Sequence, residues 1–266
     1  MKYKALAIDL DGTLLVGDDV PEENVEAIRA ARDRGIKVII ATARWSQYAL
    51  RIAGKLEIEG PIIACSGAQV HDASTGRDLF DARIPLPGVE ALYAICNEER
   101  CIATITVNDR VLLKLEGDAG SGLEAEFKPV RTLVADALDL PRVAAIQGTR
   151  CNQRIRDELQ ERFRDSINVY DSIGPTGKLV VTLTGKSASK GLALEAACKH
   201  LGINTHEVVA FGDAENDLEM FRRAGASVAM GQADERTKAA ATFVSRRNDE
   251  AGVAVAIHQL LSKGGF

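Results

Sequence analysis

Two aspartates one residue apart, Asp9 and Asp11, close an apolar run in the stretch YKALAIDLDGTLL. On an extended strand alternate side chains share a face, so the spacing predicts two carboxylates aimed to one side. Carboxylates held that close resist ionising together unless a cation or a proton lies between them. A carboxylate can also act as a nucleophile, and a crowded one can keep a proton for acid-base work. Other candidates lie at comparable points of the chain. Thr42 ends the run IKVIIAT, and Asp213 follows EVVAFG, with Asn216 and Asp217 close behind. Lys190 sits near a helix start in SASKG, where a positive charge is locally unfavourable and an anionic partner would explain it. Taken singly, each has a plain reading as a turn, cap or solvated residue.

The elements around these residues give them a common address. ALAID, IKVIIAT, PIIACSGAQV, EVVAFGD and ASVAMG read as apolar strands, the third leading into a glycine turn. Between and after them, PEENVEAIRAARDRG, SASKGLALEAACKHLG, ENDLEMFRRAG and AGVAVAIHQLLSK read as helices, with Ser187 or Ser189 as N-cap of the second. Continuous apolar strands alternating with helices predict a parallel sheet covered on both faces. Ligands bind such sheets outside the carboxyl ends of the strands, where Asp9, Asp11, Thr42 and Asp213 would meet. The middle of the chain differs. CIATITVN, RVLLKLE, RVAAIQGT, INVYDSI and KLVVTLT alternate in polarity, a turn signal stands at EGDAGSG, and two helices lie at LPGVEALYAICNEE and CNQRIRDELQERF. That pattern predicts an α+β unit with an antiparallel sheet, inserted into the α/β domain. The predicted division is 1–83 and 184–266 for the core, with 84–183 inserted.

Composition narrows the functional classes. The 266 residues carry a net charge of −5, with basic residues scattered, which argues against a nucleic-acid surface. No apolar run approaches the roughly 20 residues of a membrane span, and the short ALAI run after Lys2 and Lys4 is no signal peptide. Five cysteines without a C-x-x-C spacing fit free thiols in a reducing cytoplasm. The four histidines share no metal-binding spacing.

DLDGTLL resembles the first motif of the haloacid dehalogenase superfamily of phosphohydrolases. ATAR is similar to its second motif, SASKG to its third and GDAENDLEMF to its fourth. The insertion between motifs two and three resembles the Cof-type subfamily with its C2-type α/β cap, as do AMGQADERTKAAATFV and NDEAGVAVAI near the end. The resemblance implies a Rossmann-like core with an inserted cap. It also implies a Mg2+-dependent phosphatase of a small phosphorylated metabolite, a sugar phosphate or related monoester. Asp9 would be nucleophile and metal ligand, and Asp11 general acid and base, its backbone carbonyl a further ligand. Asp213 would complete the metal set. Thr42 and Lys190 would hold the phosphoryl oxygens, Asp217 and Asn216 would orient the metal waters or Lys190, and Thr13 would steady Asp11 or serve the turn alone. Three positions depart from the pattern: Ala43 where glycine is usual, Ser66 where asparagine often precedes the glycine, and Gln232 for a frequent asparagine. Arg44 follows the pattern, with a surface role as its other reading. Asn248 and Asp249 read as caps of the last helix, and Arg131, Arg142, Arg150 and Arg154 of the insert as substrate contacts or, as scattered arginines usually are, solvated residues. A hexose phosphomutase, or a metabolite-binding regulator on an inactive core, are the competing functions. Oligomeric state is open.

Overall fold

The computed structural model describes residues 2–115, 127–173 and 178–264. The predicted EGDAGSG turn lies outside them. The chain divides into two compact units, one of residues 1–80 and 189–266, the other Asp81–Ala188. Its architecture is α/β: a mainly parallel core sheet interrupted by an α+β insert.

In chain order the strands are β1 (Ala5–Ile8), β2 (Lys37–Ala41), β3 (Pro61–Ala64), β4 (Gln69–Asp72), β5 (Arg77–Asp81), β6 (Ile102–Val107), β7 (Arg110–Lys114), β8 (Lys128–Val130), β9 (Val143–Gln147), β10 (Ile167–Ile173), β11 (Leu179–Gly185), β12 (Val208–Gly212), β13 (Ala226–Ala229) and β14 (Phe243–Val244). The helices are α1 (Glu22–Asp33), α2 (Ser46–Lys55), α3 (Leu86–Glu98), α4 (Thr149–Arg154), α5 (Lys190–Leu201), α6 (Leu218–Arg223), α7 (Glu235–Ala239) and α8 (Gly252–Lys263).

Among the described residues the core sheet runs β14-β13-β12-β1-β2-β3-β4-β5. Pairing is parallel from β14 to β3 and turns antiparallel at β3–β4. Alternation along the strands separates two apolar layers. Leu6, Ile8, Val38, Ile40, Val209 and Phe211 pack with α1, α2 and α8. Ala5, Ala7, Ile39, Ala41, Val208 and Ala210 pack on the other face with α5 and α6. The helices supply matching stripes, such as Val253, Ala256, Ile257 and Leu260 on α8. The sequence showed the β3 run but not the antiparallel edge of β4 and β5. A turn of three consecutive left-handed residues, Cys65, Ser66 and Gly67, reverses the chain there, and only the glycine advertised it.

The inserted sheet runs β10-β11-β9-β6-β7-β8, antiparallel except for a parallel β7–β8 pair that the sequence did not signal. Ala103, Ile105, Val107, Ala144, Ile146, Val181 and Leu183 form its apolar face, covered by α3, α4 and the π-helical turn Ile155–Gln160 that continues α4. Arg142 is buried here rather than solvated, bonded to Asp81 at 2.7 Å and to the Asn108 carbonyl at 2.9 Å. Arg154 pairs with Glu98, Glu99 and Glu158, and Arg150 with Glu99.

Candidate active site

Strand register sets the site. Ile8 lies between Phe211 of β12 and Ile40 of β2, so the residues that follow these strands emerge on one edge. Asp9 comes straight after β1, its N–H donating to the Phe211 carbonyl at 3.1 Å. Its carboxylate is 4% exposed, and Oδ1 accepts a 2.6 Å hydrogen bond from Lys190 Nζ. Lys190 is the first residue of α5, directly after Ser189, whose hydroxyl accepts from the Leu192 N–H and caps the helix. The ammonium donates also to Asp217 Oδ1 at 2.7 Å. Asp217 Oδ2 in turn accepts from the N–H groups of Asp213 and Ala214. Asp213 Oδ1 accepts from the Thr13 hydroxyl at 3.2 Å, so Thr13 serves Asp213 rather than Asp11.

Two glycines permit this convergence. Gly12 has φ +77°, and a Cβ there would lie 2.4 Å from Asp213 Oδ2. Gly67 has φ +84°, and a Cβ there would lie 2.2 Å from the Ser189 carbonyl carbon and 2.4 Å from the Lys190 nitrogen. Thus the β3–β4 turn presses on the start of α5 and fixes where Lys190 begins.

Oxygens of Asp9, Asp213 and Asp217 all lie within 4.8 Å of one another. Burial raises the Asp9 carboxyl well above its ordinary range, and Asp217 and Asp213 add to the rise while Lys190 opposes it. Burial, followed by Asp217, pushes Asp213 up to about 6. Burial alone would lower Lys190, but Asp217 and Asp9 raise it. Three ionised carboxylates against one ammonium leave two negative charges in a buried, all-oxygen donor set. A hard divalent cation fits that charge and those donors.

Asp11 stands apart, and the expectation that Asp9 and Asp11 share a face is corrected. Strand β1 ends at Ile8, so alternation no longer governs the two side chains. Asp11 is exposed and paired with Arg44, whose Nε lies 2.9 and 3.0 Å from its two oxygens. Arg44 also bonds Asp18 at 3.0 Å and stacks on the Tyr48 ring at 3.9 Å, while the Tyr48 hydroxyl donates to Asp18. Thr42 follows β2 and is fully buried; its hydroxyl accepts from the Arg44 N–H, and its carbonyl accepts from the Ser66 N–H. Asn216 is exposed in the turn that carries Asp217.

Sequence reasoning gave Gln232 no role, yet its side chain ties the loop after β1 to the segment before α8. Its Nε2 donates to the Gly12 carbonyl, and its Oε1 accepts from the Asn248 N–H at 3.1 Å. Asn248 Nδ2 donates to the Leu15 carbonyl at 2.8 Å. Asn248 and Asp249 therefore do not cap α8: Asp249 pairs with Arg247, and Asn24 of α1 accepts the first-turn Ala254 N–H. The only sequence signal for Gln232 was its departure from the motif.

The chain is similar to known proteins over nearly its full length. The family model of haloacid dehalogenase-like hydrolases matches residues 6–257. A 5-amino-6-(5-phospho-D-ribitylamino)uracil phosphatase of Bacillus subtilis, YwtE, is 32% identical over 97% of this chain and 98% of its own. A phosphoglycolate phosphatase of Methanothermobacter thermautotrophicus is 27% identical over 97% and 99%. Among solved structures, a haloacid dehalogenase-like hydrolase from Bacteroides thetaiotaomicron superposes with TM-score 0.83 at 27% identity, over 97% of this chain and 99% of that one.

Proposed function

The chain belongs to the haloacid dehalogenase-like hydrolases, as a Cof-type phosphatase of small phosphorylated metabolites, and within that class we propose Mg2+-dependent hydrolysis of a sugar phosphate or related monoester through an aspartyl-phosphate on Asp9. One observation carries the reading: Asp9 is buried and bonded through a single oxygen to Lys190, with Asp213 and Asp217 beside it. Asp9 and Asp213 would hold the cation with their carboxylates, and Asp11 through its carbonyl. When bound, the cation supplies charge neutralisation for an incoming phosphate.

The Asp9 oxygen not bonded to Lys190 forms the bond to phosphorus as the bond to the leaving oxygen breaks. Lys190 and Thr42 steady the transferring oxygens, and Asp217 keeps Lys190 aimed. Asp11 gives its proton to the leaving alcohol, then takes one from the water that cleaves the Asp9–phosphorus bond. To do so it must exchange Arg44 for the substrate oxygen. Gly12, held from behind by Gln232, positions the loop between these two acids. The free, buried cysteines support a reducing, cytoplasmic setting.

Phosphate release from a panel of ribityl phosphates, phosphoglycolate and hexose phosphates, with Mg2+ and with chelator, tests the proposal. Asp9→Asn is expected to lose about a thousandfold or more in kcat with an unchanged circular dichroism spectrum. Retained turnover in that variant would sink the mechanism. Isomer formation without phosphate release would make the protein a mutase, and silence across the panel would favour a binding regulator.

A further inference from the structure

Three of the five cysteines, two of them near neighbours in sequence and the third distant, meet inside the inserted unit. Cys96 lies near the end of α3, Cys101 just before β6, and Cys151 in α4, and all three are completely buried. Their sulfurs lie within 4.8 Å of one another, and Cys96 Sγ and Cys151 Sγ are 3.9 Å apart. The Cys101 thiol donates to the Cys96 carbonyl at 3.6 Å. We propose that Cys96, Cys101 and Cys151 form a binding site for one thiophilic divalent cation of the Zn2+ type, which would pin α3 and α4 to the sheet of the inserted unit.

The spacing suits a shared ion. With metal–sulfur bonds of about 2.3 Å, two sulfurs on one ion are about 3.8 Å apart in a tetrahedral set and about 4.0 Å in a trigonal one. The Cys96–Cys151 separation falls between these values. A disulfide, by contrast, needs about 2.05 Å, well short of the 3.9 Å between these sulfurs.

The surroundings suit it as well. Three thiolates on a divalent cation carry one net negative charge. Lys114 of β7 is buried and acts electrostatically on both Cys101 and Cys151, which supplies the counter-charge. Soft sulfur donors alone select against Mg2+, so this site and the carboxylate site would not compete for the same ion. The approach of α4 is also built in. Gly148 precedes the helix, and a Cβ there would lie 2.9 Å from both Cys101 Cβ and the Arg100 carbonyl oxygen. A side chain at that position would push Cys151 off Cys101.

The test is to express the full chain in minimal medium supplemented with Zn2+, Co2+ or Cu+, purify it without chelator, and measure metal per chain. About one Zn2+ or Co2+ per chain is expected. The Co2+ protein should show an intense thiolate-to-metal charge-transfer band, and absorption spectroscopy at the metal edge should show a sulfur shell. Cys96→Ala and Cys151→Ala should lose the band and bring the metal content down at least tenfold, while Cys198→Ser and Asp213→Asn keep both. Because the edge spectrum is read on the unmodified chain, a misfolded variant does not decide the matter. An oxygen-only shell, uptake of Cu+ alone, a disulfide between two of the three cysteines, or no thiophilic metal in any preparation would each overturn the proposal.

Discussion

Every residue of β1 and β12 is buried, whereas β6 and β9 alternate buried and half-buried positions residue by residue. Strands β1 and β12 are covered by helices on both faces, so they have no position for a polar side chain except at their ends. Strands β6 and β9 are covered on one face by α3 and α4, and Thr104 and Thr106 take half-buried positions on the other. Polar chemistry in the core is thereby concentrated into a few buried residues that must satisfy one another, as Asp9, Lys190 and Asp217 do. Along β6 and β9, by contrast, the polar positions Thr104 and Thr106 are half-buried, where each is worth less. A single change should therefore matter far more at the edge of one sheet than on the open face of the other.

The largest effect on stability should come from Lys190→Met, which leaves Asp9 and Asp217 facing each other without their ammonium. A loss of about 3–5 kcal/mol is expected in urea unfolding without Mg2+. A loss below 1 kcal/mol would mean that the buried pair is not structural. Next comes a matched pair on β6. Ile105→Ala should cost about 2–5 kcal/mol, because Ile105 is fully buried against α3. Thr106→Val, one residue on, should stay within about 0.5 kcal/mol. Equal costs would erase the contrast between the faces.

A smaller effect is expected with pH. Asp213 is pushed up to about 6 from an ordinary 3.8, so the folded chain holds this proton more tightly than the unfolded one. Its contribution to metal-free stability is full below about 4 and lost as pH rises through about 6. In chelator, the thermal midpoint of the native chain should fall relative to Asp213→Asn across that window, and Mg2+ should reverse the trend. A flat difference would place the strain elsewhere. Arg44→Ala should also change stability little, by less than about 1 kcal/mol, because the Arg44–Asp11 pair is partly exposed. Chemical denaturation of that variant checks it.

The same contrast explains what could be read without coordinates. The core strands announce themselves as continuous apolar runs, and Asp9, Thr42 and Asp213 mark where those runs stop. Lys190 was legible through the SASKG motif, since a lysine near a helix start is otherwise an ordinary surface residue. The partners were not legible, because they arise from tertiary approach. Nothing near Asp11 in sequence points to Arg44, 33 positions away. Gln232 meets Gly12 across 220 positions. The Cys96–Cys151 contact spans 55. The β3–β4 reversal was hidden because Cys65 and Ser66 adopt left-handed backbone without being glycine.

The bond between Lys190 and Asp9 spans 181 residues and crosses the whole inserted unit. A chain emerging from the ribosome therefore presents Asp9 long before the ammonium that neutralises it exists. Until α5 has been made, the first core strands have neither β12 beside β1 nor a counter-charge for the acid at their edge. The site cannot form early or in part, and its completion coincides with closure of the core. Synthesis order thus makes the reactive centre among the last parts of the fold to be finished.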